Sequence, residues 1–459
     1  MEHRIVKGIS EGFHDASVSL VKYDGNAEIL WCKQAERITR KKNERFNPES
    51  LRNVDADISV FYENVPLKNE RRMKHMQLPL STKFFDSCDY WVNHHESHAA
   101  AAYYTSGFSE DAVCVVIDAI GEWDTCSIWT IKNKKLKKVF EKIYPQSIGL
   151  FYSAITKRLG LKPNEDEYIT MGMAAFGEPC IDMNFCFNDW ANWHKGFPLD
   201  QFKGRHPYDI AASAQMQVEY EIERIIGLAA NHGTKLCYSG GVALNCVANS
   251  KILHHYFKED DIYIFPNPGD AGSSLGAALG HLRTKAHFNV YCGTDIDNEQ
   301  NPKLIVDWLM KKKIVGVANG KAEFGPRALG NRSLLGDVRY DIKRAVNQIK
   351  RRQQFRPFAP AILSEFADEY FEGRMNEYMQ YTAKAKHDYD SVTHVDGSAR
   401  VQLVHSTNPS ILRPILEEYY NRTGIPMLLN TSLNIKGQPM VDNWEDAMEF
   451  QKKYGVKVF

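Results

Sequence analysis

The stretch DIYIFPNPGDAGSSLGAALGHL, residues 261–282, reads as a strand, a Gly/Pro-punctuated loop and a helix. The same order occurs just upstream. TKLCYSGG (234–241) is a strand ending in two glycines, and VALNCVANSKILHHY (242–256) continues as a helix. Working outward, residues 211–231 form a long amphipathic helix, and AVCVVIDAI (112–120) and TCSIWTIKN (125–133) carry strand composition. RIVKGIS (4–10), GFHDASVSLVKY (12–23) and AEILWCKQ (27–34) predict an opening hairpin with a turn at YDGN. Residues 35–72 are polar with weak periodicity, 149–159 is helix-like, and 190–207 reads as an irregular connection. Repeated strand–loop–helix units predict an α/β core. The style changes after about residue 285, so we expect two domains, 1–289 and 290–459.

Composition agrees with a globular enzyme. The chain has 459 residues, 43% of them hydrophobic, and Lys plus Arg balance Asp plus Glu at 57 each. Net charge therefore argues neither for nor against a nucleic-acid partner. Most of the basic runs at 40–42, 71–74, 132–138 and 350–352 read as solvated faces, and 40–42 and 71–74 are also expected to flank an entrance to the site. No apolar run approaches the roughly 20 residues a membrane span needs. Nine scattered cysteines without a CxxC pair fit a reducing, cytoplasmic compartment.

Four groups of residues could carry chemistry. In HHESH (94–98), a helix would put His94 and His98 one turn apart on one face. That spacing suits two imidazoles on one metal, or a polar helix start with surface histidines. Asp118, ending a strand, and Asp270, in the PNPGDAGSS loop, would complete a mixed N/O set suited to iron or another first-row divalent ion. The glycine-rich loops bring Gly240, Gly241 and Asn245, and Gly272, to helix starts whose N–H groups can cradle phosphate, or which serve tight packing alone. EFGPRALGNRSLLGDVR (323–339) and IKRRQQFRPFAPA (349–361) place Arg327, Arg332, Lys350 and Arg356 among Gly and Pro, where guanidinium forks bind phosphates. THVDGSARVQ adds Arg400, and NTSLNIKGQP adds Asn430. His14 and Asp15 follow the first strand, as a general base, a phosphate contact or a local turn.

Taken together, GFHDASVSL, AERITRKK, NHHESHAAAAYYTSGF, IDAIGEWDTCSIW, GLFYSAITKRLGLKPNEDEY, YSGGVALNC, PGDAGSSLGAALG, FGPRALGNRSLLGD, FRPFAPAIL, THVDGSARVQ and TGIPMLLNTSLNIKGQPMV resemble the NodU/CmcH carbamoyltransferases over nearly the whole chain. The resemblance implies an actin-like (ASKHA) N-terminal domain and a C-terminal YrdC-like α/β domain. It implies that carbamoyl phosphate and ATP, with Mg2+, form carbamoyl adenylate, whose carbamoyl group passes to an acceptor hydroxyl. It implies His94, His98, Asp118 and Asp270 as ligands of a divalent metal, Fe2+ by preference. Arg327, Arg332, Lys350, Arg356 and Arg400 would bind substrate and nucleotide, with His14, Asp15 and Arg327 in catalytic roles. It leaves open a small-molecule hydroxyl or a 5-hydroxymethylpyrimidine in DNA as acceptor, and a homodimer. Two positions depart from the family pattern, Ile169 in EYITMG and Gln438 in GQPMV. The rival readings are a tRNA threonylcarbamoyladenosine-type transferase and an actin-like ATPase or kinase with an accessory domain.

Overall fold

The computed structural model describes residues 3–109, 111–188, 192–198 and 200–459, with Asn188 as backbone alone. Of the connection expected over 190–207, residues 190, 191 and 199 lie outside the described set, and Trp193–Lys195 is a short 3-10 turn. The chain divides into two compact units: Met1–Cys32 with Arg45–Phe288, and Lys33–Glu44 with Asn289–Phe459. Lys33–Glu44 thus departs from the expected first domain. The physical reason lies in two arginines. Arg37 donates to the carbonyl of Gly325 at 3.0 Å, and Arg40 to those of Met440 and Pro439 at 2.6 and 3.1 Å.

The larger unit is built on two five-stranded sheets. In the first, β1 (Arg4–Ser10), β2 (Ser17–Tyr23) and β3 (Ala27–Gln34) form a meander, with β4 (Ile58–Phe61) and β5 (Tyr90–Trp91) on the other side, in the order β3-β2-β1-β4-β5. β1 runs antiparallel to β2, from Arg4↔Tyr23 to Ser10↔Ser17, and parallel to β4. In the second, β6 (Ala112–Ile117), β7 (Asp124–Lys132) and β8 (Lys135–Ile143) form the meander, and β9 (Lys235–Ser239) and β10 (Ile262–Ile264) the parallel side, in the order β8-β7-β6-β9-β10. The two sheets are topological copies, although no repeat is visible in the sequence. β6 is buried along its whole length, as a continuous apolar run requires when both faces are covered.

Two helices rich in small residues then bring distant loops together. His94–Ser106 buries Ala99 to Ala102, and Ser273–Leu282 buries Leu275 to Gly280. Their backbones nearly touch: a Cβ on Gly276 would lie 1.8 Å from the Ser97 carbonyl oxygen. β2 pins the start of the second helix. Ser17 Oγ donates to the Ala271 carbonyl at 2.6 Å, and Ser17 and Ser19 both meet Ser274 Oγ.

The smaller unit holds a five-stranded mixed sheet in the order Ile314–Ala318, Arg332–Gly336, Met427–Ser432, Ala359–Leu363, Gln402–Val404. Successive residues of a strand face opposite layers. Leu335, Ala361 and Leu428 pack with Ile305, Leu309, Ile415 and Leu416 on one side. Leu334, Ile362 and Leu429 pack with Ala447, Phe450 and Val458 on the other. No helix among the described residues is long and apolar enough to cross a membrane.

Candidate active site

Six of the candidate residues converge in the larger unit. His94 and His98 share one face of the His94–Ser106 helix, with their Nε2 atoms 3.2 Å apart. Asp118, just past β6, brings Oδ2 to 3.0 Å from His94 Nε2 and 3.5 Å from His98 Nε2. Asp270, at the head of its helix, brings Oδ1 to 3.6 and 3.4 Å from the same atoms. All four residues are buried, and their ligand atoms lie within 4.8 Å of one another. Tetrahedral bonds of about 2.0–2.2 Å to N and O would give ligand–ligand edges of about 3.3–3.6 Å. Two imidazoles and two carboxylates at this spacing fit a single divalent ion.

The glycine-rich loop after β9 serves this cluster. The Gly241 N–H donates to Asp118 Oδ1 at 3.1 Å, leaving Oδ2 for the histidines. Gly240 has φ +91°, and a Cβ there would sit 2.3 Å from the Ile117 carbonyl oxygen, so the loop's close approach to β6 requires glycine. Asn245 caps the next helix, accepting from the Ala248 N–H at 3.1 Å. A Cβ on Gly272 would meet the Asn267 carbonyl oxygen at 1.9 Å, so this glycine closes the Asp270 loop.

His14 and Asp15 join the cluster from the β1–β2 turn. His14 Nδ1 lies 2.9 Å from Asp15 Oδ2 and 3.8 Å from Asp270 Oδ2. Burial opposes its charge, but Asp270 and Asp15 outweigh burial and raise its pKa to about 9. Burial likewise opposes ionisation of Asp270, yet His14, His94 and His98 hold it at about 2. Asp118 is held well below its ordinary value, against burial, by His94 and His98. His94 is raised well above its own, against burial, by Asp270, Asp118 and Glu63. His95 points elsewhere: its Nδ1 meets Ser127 Oγ at 2.8 Å, and burial and His94 keep it neutral.

Sequence reading missed three residues around this centre. Glu122 accepts the His94 N–H at 2.9 Å and the Asn64 N–H at 2.7 Å, capping a helix whose own Asn93 provides no side-chain cap. Glu63 and Lys68 form a buried pair at 2.5 Å, and Glu63 Oε2 is 3.7 Å from His94 Nδ1. Glu63 lies just past β4 and Lys68 on the Val65–Lys74 helix, inside the stretch without clear periodicity. Arg71, from a run expected on a solvated face, is 1% exposed.

The remaining candidates lie in the smaller unit. The loop bearing Arg327 is wound around Glu323, whose Oε1 accepts the N–H groups of Leu329 and Asn331 at 2.7 and 2.9 Å. Asn430 Nδ2 holds the Ala328 carbonyl at 3.1 Å, and Gln402 Nε2 the Leu329 carbonyl at 2.9 Å. Arg327, Arg356 and Arg400 are half-buried. Arg332 differs from the expectation of a phosphate fork. It is wholly buried, and its guanidinium donates to five carbonyls, of Asp442, Asn319, Gly320, Asn331 and Thr294, at 2.8–3.1 Å. Lys350 Nζ is likewise engaged by the carbonyl and side-chain oxygens of Ser432 and Asn434. Burial, then Arg352 and Arg356, push its pKa well below the ordinary lysine value.

A duplicated α/β unit holding a buried His/Asp cluster, joined to a unit of arginine-bearing loops, is the frame of an enzyme. Family models supply its class. The model described as "Carbamoyltransferase N-terminus" matches residues 46–192 and 191–279, and "Carbamoyltransferase C-terminus" matches 306–459. The chain belongs to the carbamoyltransferase family, and it is a transferase. It is 31% identical to uncharacterized protein sll1178 of Synechocystis, over 96% of this chain and 93% of that protein. It is 32% identical to nodulation protein NolO of Bradyrhizobium diazoefficiens, over 78% and 75%. Among solved structures it is similar to the activator of 2-hydroxyisocaproyl-CoA dehydratase from Clostridium difficile with bound ADPNP. That match has a TM-score of 0.39 and 14% identity, and covers 61% of this chain and 93% of that one.

Proposed function

We propose that the chain is an ATP-dependent O-carbamoyltransferase working in two steps. Carbamoyl phosphate and water give phosphate and carbamate. A carbamate oxygen then attacks the α-phosphorus of ATP, releasing pyrophosphate and leaving carbamoyl adenylate. The acceptor hydroxyl attacks the carbonyl carbon, a carbamate ester forms, and AMP leaves. The observation that carries this reading is the convergence of His14 and Asp15 on the His94/His98/Asp118/Asp270 cluster. The duplicated sheets support an actin-like frame for it, and the smaller unit would be the YrdC-like domain.

A divalent ion held by His94, His98, Asp118 and Asp270 would supply Lewis-acid polarisation and a fixed template for anionic oxygens. His14 takes the acceptor proton and Asp15 stabilises the resulting imidazolium. A cation held by Asp270 would weaken the field that raises His14, and so would favour the neutral imidazole a base requires. In the first step Arg327, on its Glu323-braced loop, steadies the phosphate charge, with Arg356 and Arg400 as further donors. Arg332 and Lys350 keep structural roles, because their donors are already spent on protein oxygens. The acceptor is a small-molecule hydroxyl or a hydroxymethylated pyrimidine in DNA.

The test is incubation with ATP, Mg2+ and carbamoyl phosphate over sugars, aminoglycosides, nucleosides and hydroxymethylcytosine DNA, read for AMP, pyrophosphate and a carbamoyl mass gain. Release of ADP instead of AMP would favour the kinase reading. A carbamoyl gain on DNA that fades steeply with salt would identify the polynucleotide acceptor.

A further inference from the structure

His94 can offer a metal its Nε2 lone pair only if its proton sits on Nδ1. That nitrogen is buried, so its proton needs a protein acceptor. In the structure His94 Nδ1 makes no hydrogen bond, and it faces Glu63 Oε2 at 3.7 Å. Glu63 is 0% exposed and its Oε1 also lacks a partner. Beside it stands Lys68, 3% exposed, with Nζ 2.5 Å from Oε2 and 5.4 Å from the Phe13 ring next to His14. A buried ion pair is weak as a stabilising device, because desolvation cancels most of its attraction. Its place against one ring of the cluster calls for another explanation. The backbone supports the same alignment. Glu122 takes the N–H of Asn64, next to Glu63, and the N–H of His94 with one oxygen, which ties the two segments together.

We propose that Glu63, neutralised by Lys68, accepts the Nδ1 proton of His94 and is a positioning residue of the metal centre. This rests on the metal-centre reading above. Glu63 fixes the tautomer and plane of the imidazole, and the Lys68 cation keeps the extra carboxylate from adding net negative charge to the cluster.

Cobalt(II) binding to the full chain tests it, with affinity read by chelator competition and geometry by the ligand-field absorption. The Glu63→Gln variant should bind cobalt about 10–100-fold more weakly, with a shifted absorption, because such partners orient the ligand. Wild-type affinity and an unchanged spectrum in a folded Glu63→Gln would overturn the proposal while leaving the metal centre standing. No binding by the wild-type chain would remove both. If the variant does not fold, nitrogen NMR of the zinc-loaded wild type decides. A buried Nδ1–H histidine metallated through Nε2 supports the assignment, and metallation of His94 through Nδ1 refutes it.

Discussion

His14 Nδ1 lies 3.8 Å from Asp270 Oδ2, while Oδ1 of the same carboxylate faces His98 and His94 at 3.4 and 3.6 Å. One aspartate thus belongs both to the prospective metal site and to the prospective base. In the metal-free chain Asp270 and Asp15 together overcome burial and raise His14 from 6.5 to about 9. A raised folded-state pKa gives stability that is complete below the unfolded value and is lost as pH rises through the folded one. The melting temperature of metal-free protein should therefore fall between pH 6.5 and about 9, and His14→Gln should flatten that slope. Parallel curves for the two proteins would show that the pairing contributes nothing.

Removing a ligand should remove the ion. We expect His98→Ala and Asp270→Ala to fold and to lose the divalent metal that wild-type protein retains through gel filtration, as read by elemental analysis. His94 and His98 are both raised above their ordinary pKa in the metal-free state, so loading near neutral pH must release protons. Affinity should climb with pH, and calorimetry in two buffers of different ionisation enthalpy will report the proton count.

The two half-reactions should separate by mutation. Arg327→Ala should lower carbamoyl-dependent pyrophosphate release by about 10²–10³-fold, the usual cost of a lost preorganised donor. His98→Ala should still release pyrophosphate and yet carbamoylate no acceptor. Equal loss of pyrophosphate in both variants would point to a single composite site.

Gly276→Ala probes how the cluster is assembled. Its new Cβ would fall 1.8 Å from the Ser97 oxygen, so the two helices must part. Overpacking of this kind costs about 1–3 kcal/mol, and metal affinity should drop with stability because the histidines ride on one of those helices and Asp270 on the turn that leads into the other. Unaltered denaturation midpoints would mean the contact relaxes freely.

Arg332→Lys should behave as a folding mutation. One ammonium cannot serve five carbonyls that a planar fork reaches together. The stranded acceptors should cost more than about 2 kcal/mol, visible as a lowered melting temperature of the chain. A variant that melts like wild type but fails to bind substrate would restore Arg332 to the pocket.

Much of the His/Asp cluster could be read in the sequence, because its parts obey local rules. His94 and His98 show helical spacing, Asp118 ends an apolar strand, and Asp270 sits in a loop opening a helix. Their convergence could be read only through the family resemblance, since nothing local links residue 98 to residue 270. Glu63, Lys68 and Glu122 escaped because a sequence displays charge but not burial, and none of them sits in a stretch with a clean period. The carbonyl contacts of Arg332 were not legible for a related reason. A guanidinium that binds phosphate and one that gathers backbone carbonyls look alike as letters. That Lys33–Glu44 groups with the second unit is not legible locally, because the carbonyls it meets, at 325 and 439–440, are remote in the chain.

That loan of twelve residues has a consequence for synthesis. Lys33–Glu44 is made well before the rest of the unit that receives it, which begins at Asn289. Until then Arg37 lacks the Gly325 carbonyl and Arg40 lacks those of Pro439 and Met440. The first sheet can form around that stretch, but the C-terminal unit can mature only by recapturing a segment made at the start. A chain cut between Gly325 and Pro439 would keep the carbonyl that Arg37 binds and lose the two remote carbonyls that Arg40 binds.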